Sequence, residues 1–269
     1  AGLDIRIPAP EADDELSELI LTFNTMLDRL DDAFGRLRRY SGDVSHELRT
    51  PIAVIKGEAE FALRRERSAE EYRSSLQVVV KEAQGMTELI EDLLLLARAD
   101  SKGVLLNPQK QDLKSFVDHV KDAVIPEFIA KQVDLVVDVS TEAEFFANQT
   151  YLLLALKNIL INAAKHSHPQ SSVKFLVSQY FNAKAMVQEL QFDIIDNGQG
   201  ISQDDLPYIF DPFYRADNAR NRRAGGTGIG LSLAQALIKM HKGRIEVEST
   251  VNVGTAFHVF VPFNPDQMS

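Results

Sequence analysis

The chain has 269 residues, 45% of them hydrophobic and 25% charged, which is ordinary for a globular protein large enough for two domains. The formal net charge of −10 argues against general binding of nucleic acid or of an anionic membrane, because both require a positive surface. The absence of cysteine excludes a disulfide framework and any cysteine-ligated metal. No apolar run approaches the roughly 18 residues of a membrane helix. Because the chain begins without methionine, we expect it to be a fragment of a longer protein.

A long helix is predicted after an extended, proline-containing segment over residues 1–10. From Leu16 to Leu48, apolar side chains recur at alternating steps of four and three residues, the pattern of a coiled coil or helical bundle. Pro51 is expected to kink this helix or loosen its backbone, because proline lacks the backbone N–H. The same register puts His46 on the solvent side.

A second helix with the same spacing of apolar residues runs from Tyr72 to Ala97. Ser68, followed three residues later by Glu71, predicts a capping box at its N-terminus. Two helices joined by a short polar loop form an antiparallel hairpin. Because the core of one hairpin is narrow, we expect two copies to pair into a four-helix bundle, which predicts a homodimer.

Beyond a boundary over residues 101–108, the pattern changes to mixed elements. An α+β sandwich, with one sheet covered by helices, is predicted. Between Asp196 and Gly228 lie about 30 residues without regular structure, and a loop of that length in a compact domain is usually functional. Helices are expected over 112–125, 149–166 and 229–242, and strands over 133–139, 172–181, 186–195, 244–249 and 255–262.

The first candidate site is the segment SHELRTP, residues 45–51. An isolated histidine on a helix surface is by default an ordinary solvated side chain. Here Glu47 could hold one ring nitrogen of His46 and leave the other as a nucleophile. Thr50 lies one turn further on the same face, where its hydroxyl could orient a water. Thr50 also stands where the second zinc ligand of an HExxH motif would be, which excludes that metalloprotease motif.

The second candidate site lies on the predicted helix 149–166, where Asn158 and Asn162 are four residues apart on one otherwise apolar face. Buried amides need partners, and a pair of helix–helix hydrogen bonds would satisfy them. Alternatively, an amide oxygen binds Mg²⁺, which prefers oxygen ligands and retains phosphates and water. Lys165 and His166 follow at the end of this face and could meet phosphates.

The third candidate site is Asp196, at the end of an apolar strand and followed by Gly198 and Gly200. A buried carboxylate could accept a hydrogen bond from an adenine amino group, and glycines allow a base to approach the backbone closely. A plain Asn-Gly turn explains the same residues equally simply.

The fourth candidate site is the glycine-rich segment 225–231, GGTGIGL, which enters a helix and could bind phosphate at the helix N-terminus. It lacks the lysine of a Walker loop and the preceding strand of a dinucleotide-binding fingerprint. The arginines before it form either a solvated basic loop or a mobile lid that neutralises a triphosphate. They are Arg215, Arg220, Arg222 and Arg223.

Two further features flank this loop. Phe210 and Phe213 lie at its start and could anchor it by packing. Gly254 and Thr255 open the last predicted strand, where an ordinary turn is as good an explanation as a contact with a nucleotide.

In this order and spacing, the segments resemble the H, N, G1, F and G2 boxes of the histidine kinase family. The resemblance covers nearly the whole chain. Residues 1–40 resemble part of a HAMP linker with its signalling helix, residues 41–103 the dimerisation and histidine phosphotransfer domain, and residues 104–269 the catalytic ATP-binding domain. The implied fold is an α-helical hairpin that dimerises as a four-helix bundle, followed by an α+β ATP-binding sandwich.

The resemblance also implies an activity and the residues that carry it. His46 would be autophosphorylated by ATP with Glu47 as base, and the phosphoryl group would pass to an aspartate in the receiver domain of a response regulator. Thr50 is implied in the reverse, phosphatase reaction, Asn162 in Mg²⁺ binding and Asp196 in adenine recognition. Arg215 would approach the γ-phosphate. The other implied nucleotide-binding residues are Asn158, Lys165, His166, Gly198, Gly200, Gly226, Thr227, Gly228, Ile229, Gly230, Leu231 and Thr255.

Two departures from the family pattern and two alternatives accompany this interpretation. Asn148 stands where the family often has aspartate, with an expected structural cost only, and Ser17 where HAMP linkers often have glycine. The chain is expected to be the cytoplasmic portion of a bacterial inner-membrane protein. One alternative is an ATPase of the gyrase or Hsp90 type, against which SHELRTP argues. The other is a dimeric scaffold with a dead nucleotide site, against which the intact asparagines and the glycine-rich turn argue.

Overall fold

The computed structural model describes residues 15–99, 106–183, 186–216 and 227–263. Contacts divide the chain into two compact units, Ala1–Met86 and Thr87–Ser269, and each is described by itself. The predicted linker, and the first turn expected over residues 11–14, lie outside the described residues. Among the described helices, none is both long enough and apolar enough to cross a membrane.

The first unit is built from a helical hairpin. Helix α1 spans Glu15–Leu63 and helix α2 spans Ala69–Ala99, so α2 continues past the division between the units. Helix α1 continues through Pro51, and the kink or loosened backbone expected there stays a prediction. Proline removes a single backbone hydrogen bond, and the helix retains the others on both sides.

The turn of the hairpin is fixed by side chains from both helices. The predicted capping box is confirmed, since the backbone N–H of Ser68 donates to Glu71 Oε2 at 2.9 Å and the backbone N–H of Glu71 donates to Ser68 Oγ at 3.2 Å. The guanidinium of Arg67 lies 3.4 Å above the ring of Phe61 and donates to Glu71 at 3.1 Å. The turn therefore joins the end of α1 to the start of α2 through specific bonds.

Helix α2 leaves a stripe of large apolar side chains exposed in the single chain. Ser75, Leu89 and Leu96 are buried, and they recur at steps of seven or fourteen residues along one line of the helix. The exposed residues lie on another line: Leu76, Val80, Ile90 and Leu94.

The second unit is an α+β layer structure, so the predicted fold class is confirmed: a helical hairpin is followed by helices packed on a mixed sheet. The five-stranded sheet has the order β2-β4-β5-β7-β6, in which β2 and β4 are parallel and the other neighbours antiparallel. These strands are β2 Asp134–Val139, β4 Ser172–Asn182, β5 Val187–Asp196, β6 Arg244–Thr250 and β7 Gly254–Pro262. The helices are α3 Leu113–Lys131, α4 Gln149–His166 and α5 Gly230–Met240.

The core of this unit lies between one face of the sheet and the helices. Alternate residues of the central strands are buried, as expected for a sheet covered on one face only. Four phenylalanines pack there edge-to-face or stacked, with ring centroids 5.5–6.4 Å apart. They are Phe116, Phe145, Phe175 and Phe192.

The sequence did not predict a second, two-stranded antiparallel sheet, formed by β1 Gln109–Asp112 and β3 Glu144–Ala147. A 3₁₀ turn at Leu206–Tyr208 within the long loop was also missed. Helix α4 has the predicted bounds, whereas α3 continues to Lys131, beyond the expected end at 125.

Asn148 begins helix α4 with three hydrogen bonds. Its Oδ1 accepts from the N–H of Tyr151 at 3.1 Å, and its Nδ2 donates to the carbonyl of Leu106 at 2.9 Å. Its backbone N–H donates to His241 Nε2 at 3.2 Å. An ionised aspartate could not make the bond to Leu106, because a carboxylate has no donor.

Candidate functional site

Asp196 is the last residue of β5, where it pairs with Thr255 at the start of β7. Its side chain is 5% exposed, and burial raises the pKa of its carboxyl group, although two hydrogen bonds oppose that shift. The donors are the backbone N–H groups of Gly198 at 2.8 Å and Thr255 at 3.3 Å. Both bonds from the described residues reach Oδ1, which leaves Oδ2 for a donor on a ligand.

The glycines around Asp196 are required by contacts between backbone segments. A Cβ at Gly198 would lie 2.2 Å from the carbonyl oxygen of His166 at the end of α4. A Cβ at Gly200, whose φ is +66°, would lie 2.1 Å from the carbonyl oxygen of Thr250. The structure thus explains these glycines by packing of the loop onto α4 and the β6–β7 turn, a reason different from the approach of a base.

Asn158 on α4 has a buried donor without a partner. Among the described residues, Asn158 Nδ2 is the one buried side-chain nitrogen or oxygen that makes no hydrogen bond. The proposed helix–helix bond is therefore absent for this group, and such a donor costs free energy unless something else binds it. A Cβ at Gly230 would lie 3.1 Å from Asn158 Oδ1, so the glycine at the start of α5 keeps space open beside the amide.

Asn162 is the residue near Asn158 that could supply an oxygen ligand to Mg²⁺. Within the described ranges, no three His, Cys, Asp or Glu side chains come together as a metal site. Asn162 lies one turn beyond Asn158 and is half-buried. An amide oxygen supplemented by phosphate oxygens and water is an ordinary Mg²⁺ environment.

The end of α4 is partly desolvated and positively charged. Burial, with the nearby charges of Lys165 and Lys131, lowers the pKa of His166 to about 4, so the ring is neutral near pH 7. Burial, followed by the charge of Arg215, lowers the pKa of Lys165 as well. This effect places Arg215, in the second half of the long loop, near the end of α4.

The backbone at Phe213 contacts the backbone at Gly228 in the glycine-rich segment. The N–H of Phe213 donates to the carbonyl of Gly228 at 3.0 Å, and a Cβ at Gly228, with φ +72°, would lie 2.9 Å from the backbone of Phe213. The hydroxyl of Tyr214 donates to Asp205 Oδ1 at 2.6 Å. These bonds hold the backbone of residues 213 and 214 in place, whereas anchoring by packing of Phe210 and Phe213 stays a prediction.

The structure describes the glycine-rich segment from residue 227 onwards. Thr227 accepts a bond from the N–H of Ile229 at 3.4 Å, Ile229 is buried, and Leu231 is half-buried in the first turn of α5. Residues 217–226, with the predicted lid arginines Arg220, Arg222 and Arg223 and the predicted contact Gly226, lie outside the described residues.

His46 lies on α1 in the first unit and is exposed, as predicted. Thr50, one turn further on, is exposed as well. Glu47 is half-buried, and neighbouring residues on a helix point in different directions. The structure therefore shows no contact by which Glu47 would hold the ring of His46.

Two residues in contact with the candidate site residues were missed from the sequence. Ser249 Oγ accepts from the N–H of Ile201 at 2.8 Å and lies 2.9 Å from Thr255 Oγ1, so it joins the loop to the strand beside Asp196. Gln199 Nε2 lies 2.8 Å from His166 Nδ1. Its place inside the DNGQG segment was the available signal, but nothing local indicated its partner.

Comparison with protein families finds three matches along the chain. Residues 147–265 match the family described as histidine kinase-, DNA gyrase B-, and HSP90-like ATPase. Residues 36–102 match the His Kinase A (phospho-acceptor) domain, and residues 2–32 match the HAMP domain.

Curated relatives are similar over almost the whole chain. Sensor protein IrlS of Burkholderia pseudomallei is 34% identical over 95% of this chain, and sensor protein CzcS of Cupriavidus metallidurans is 31% identical over 99%. Sensor histidine kinase CusS of Escherichia coli K12 is 33% identical over 97%. The chain spans about half the length of these relatives, namely 54%, 54% and 52%.

Solved structures share the fold. Histidine kinase AdeS of Acinetobacter baumannii superposes with a TM-score of 0.63 at 22% identity, over 81% of this chain and 98% of its own. Histidine kinase ThkA, solved in complex with response regulator protein TrrA, superposes with a TM-score of 0.67 at 19% identity, over 94% of this chain and 69% of its own.

Proposed function

The chain belongs to the sensor histidine kinases of two-component systems, and on this premise we propose that it uses Mg-ATP to phosphorylate His46 and then passes the phosphoryl group to an aspartate of a response regulator. One observation carries the proposal. The chain that bears an exposed histidine in SHELRTP also contains a buried amide donor on α4, that of Asn158, which lacks a partner among the described residues. A gyrase-type ATPase would need the pocket but not the histidine.

In the proposed complex, a hydrogen-bond acceptor binds the adenine base of ATP, whereas hydrogen-bond donors and positive charges bind its phosphates. Asp196 Oδ2 accepts from the adenine amino group while Oδ1 keeps its two backbone donors. The side-chain N–H of Asn158 donates to a phosphate oxygen, which provides the missing partner. Lys165 and Arg215 neutralise phosphate charge, and Asn162 contributes an amide oxygen to Mg²⁺.

Magnesium would neutralise the charge that develops on the phosphates during transfer. A ring nitrogen of His46 attacks the γ-phosphorus, the bond between that phosphorus and the bridging oxygen breaks, and ADP leaves. Glu47 is the proposed acceptor of the ring proton. The N–P bond formed is then exchanged for an O–P bond when an aspartate carboxylate of the partner attacks.

Thr50 supports a second proposed activity, dephosphorylation of the response regulator. It is exposed one helical turn from His46 and on the same face, so its hydroxyl can orient a water beside the docked partner. We also propose a homodimer, and an anchor for the whole protein in a bacterial inner membrane, since the relatives are sensor proteins about twice as long.

The test is incubation of the protein with Mg²⁺ and γ-labelled ATP, followed by a denaturing gel. We expect label that is stable in base and lost in acid, and none on His46→Gln. His119→Gln, which removes another exposed histidine of the chain, is the matched control and should keep the label. ATP binding without label would leave the ATPase or the scaffold, which release of phosphate would then separate.

Thr50→Ala separates the two proposed activities. We expect unchanged labelling of His46 and slower loss of phosphate from the phosphorylated response regulator, because a water is no longer oriented. The measurement is the decay of labelled response regulator with each variant, and an unchanged decay rate would remove Thr50 from the mechanism.

A further inference from the structure

Gln199 joins the loop after Asp196 to two segments that are remote in sequence, the end of α4 and the turn between β6 and β7. Its backbone N–H donates to the carbonyl of His166 at 3.3 Å, and its own carbonyl accepts from the N–H of Asn252 at 2.8 Å. Its side-chain nitrogen Nε2 lies 2.8 Å from His166 Nδ1. The Gln199 side chain, in the loop after Asp196, therefore contacts the ring at the end of α4, one turn beyond Asn162.

The chemistry of this contact determines where the imidazole carries its proton. A carboxamide nitrogen is a donor only, so His166 Nδ1 must accept. A neutral ring with Nδ1 as acceptor has its proton on Nε2. The charged groups facing the ring, Lys165 on its own helix and Lys131 from α3, both disfavour a second proton.

We infer that Gln199 is a positioning residue that fixes His166 as a neutral ring protonated on Nε2, so that His166 offers one directed N–H donor to an oxygen of the ribose-triphosphate chain. The inference rests on the proposed nucleotide-binding function and adds to it. The contacts from described residues engage Nδ1, which leaves Nε2 for a ligand. A neutral donor orients the nucleotide without adding a further positive charge beside Lys165 and Arg215.

The proton position is measurable without nucleotide, by ¹⁵N NMR of the protein labelled in its imidazole rings, with His166→Gln assigning the signal. At pH 7.5 we expect the His166 ring to be neutral and protonated on Nε2. A ring protonated on Nδ1, or on both nitrogens, would overturn the inference. Because this measurement needs no phosphorylation of His46, its result is independent of whether the proposed kinase activity is found.

Two substitutions of Gln199 test its effect on the proton position of His166 and on nucleotide binding. Gln199→Glu has the same shape but can only accept, so it should move the proton to Nδ1. Gln199→Leu should leave the tautomer of His166 unfixed and weaken binding of Mg²⁺ with the non-hydrolysable ATP analogue AMP-PNP by up to about tenfold, the value of one ordinary hydrogen bond. The matched control is Gln203→Leu, since Gln203 is exposed and its Nε2 reaches only the carbonyl of Ser249, at 3.4 Å.

Circular dichroism and thermal unfolding establish that the variants are folded before binding is compared. Weaker binding by Gln199→Leu, a proton on Nδ1 in Gln199→Glu and no change in Gln203→Leu would together support the positioning role. An unchanged tautomer in Gln199→Glu, or equal losses of affinity in Gln199→Leu and Gln203→Leu, would show that Gln199 only stabilises the loop and would overturn it.

Discussion

Substitution of Asp196 by asparagine removes the charge of this side chain and should leave the fold intact. In Asp196→Asn, the amide oxygen can still accept from Gly198 and Thr255, but the NH₂ that replaces Oδ2 cannot accept from an adenine amino group. We therefore expect AMP-PNP affinity to fall at least about tenfold with little change in thermal stability. Calorimetric titration measures the affinity, and Asp211→Asn, at an exposed position near the pocket, is the control. Equal affinity of Asp196→Asn and wild type would exclude this carboxylate from base recognition.

His241 makes the stability of the second unit depend on pH. The ring is fully buried, and burial lowers its pKa, while Nδ1 donates to the carbonyl of Leu237 at 2.8 Å and Nε2 accepts from the N–H of Asn148. Protons bind the unfolded histidine first, near its ordinary pKa of about 6.5. The stability due to the neutral ring is complete above that pH and is lost as the pH falls below it.

His241→Gln isolates this contribution, because a side-chain amide does not titrate. We expect the wild type to be more stable than the variant at pH 7.5. The difference in the free energy of unfolding should shrink by about 1 kcal/mol by pH 5.5. Urea unfolding at both pH values measures it, and the contribution of His166 cancels because both proteins contain that ring. A difference that stays constant with pH would contradict the assignment.

At the scale of elements, Gly230 at the start of α5 lies close to Asn158 in the middle of α4. A methyl group at Gly230 would lie 3.1 Å from Asn158 Oδ1, so Gly230→Ala should displace the amide. We expect AMP-PNP binding to weaken about tenfold while the unit stays folded, since alanine otherwise favours a helix. Gly85→Ala, in α2 where nothing lies within 4 Å, is the matched control and should stabilise its helix without affecting binding. Unchanged affinity of Gly230→Ala would show that Asn158 does not contact the nucleotide.

Elements with a strong hydrophobic period could be predicted from the sequence, and elements held by remote contacts could not. The two long helices, α4 and the central strands carry periods of 3.5, 3.6 or 2 residues that specify their type. Strand β1, with the sequence QKQD, has no such period and exists because it pairs with β3, where Phe145 and Ala147 are buried. Helix α3 continues through Pro126, where a boundary was expected.

The same distinction holds in the pocket. Asn158, Asn162 and Asp196 could be selected as candidates because amides and carboxylates stand out on an apolar face or at a strand end. The contact of Gln199 with His166 joins residues 33 positions apart, and that of Asn148 with His241 joins residues 93 positions apart. Spacing along the chain contains no information about such pairs, so only the folded backbone identifies them.

At the scale of the whole molecule, the exposed apolar stripe on α2 bears on the proposed dimer. Leu76 is 62% exposed and Leu94 is 54% exposed in the single chain, and Val80 and Ile90 lie between them. Positions 76, 80, 90 and 94 lie along one line of the helix, with Ala83 and Thr87 at the intervening positions between Val80 and Ile90. Exposed apolar side chains aligned in this way are normally covered, and in the proposed dimer a second copy would cover them as a four-helix bundle.

Charge on this line should therefore separate two subunits without unfolding either one. For the wild type, light scattering should give twice the 30.0 kDa mass of one chain, and the double substitution Leu76→Glu with Leu94→Glu should shift the mass towards a single chain at micromolar concentration. The cause is that a buried, unpaired carboxylate costs several kcal/mol, whereas the same group is solvated on a free helix. Gln77→Glu adds like charge to an exposed position off the line and should leave the mass unchanged. If the double variant kept the mass of two chains, the dimer would have to form through another surface, and the apolar line on α2 would need a different partner.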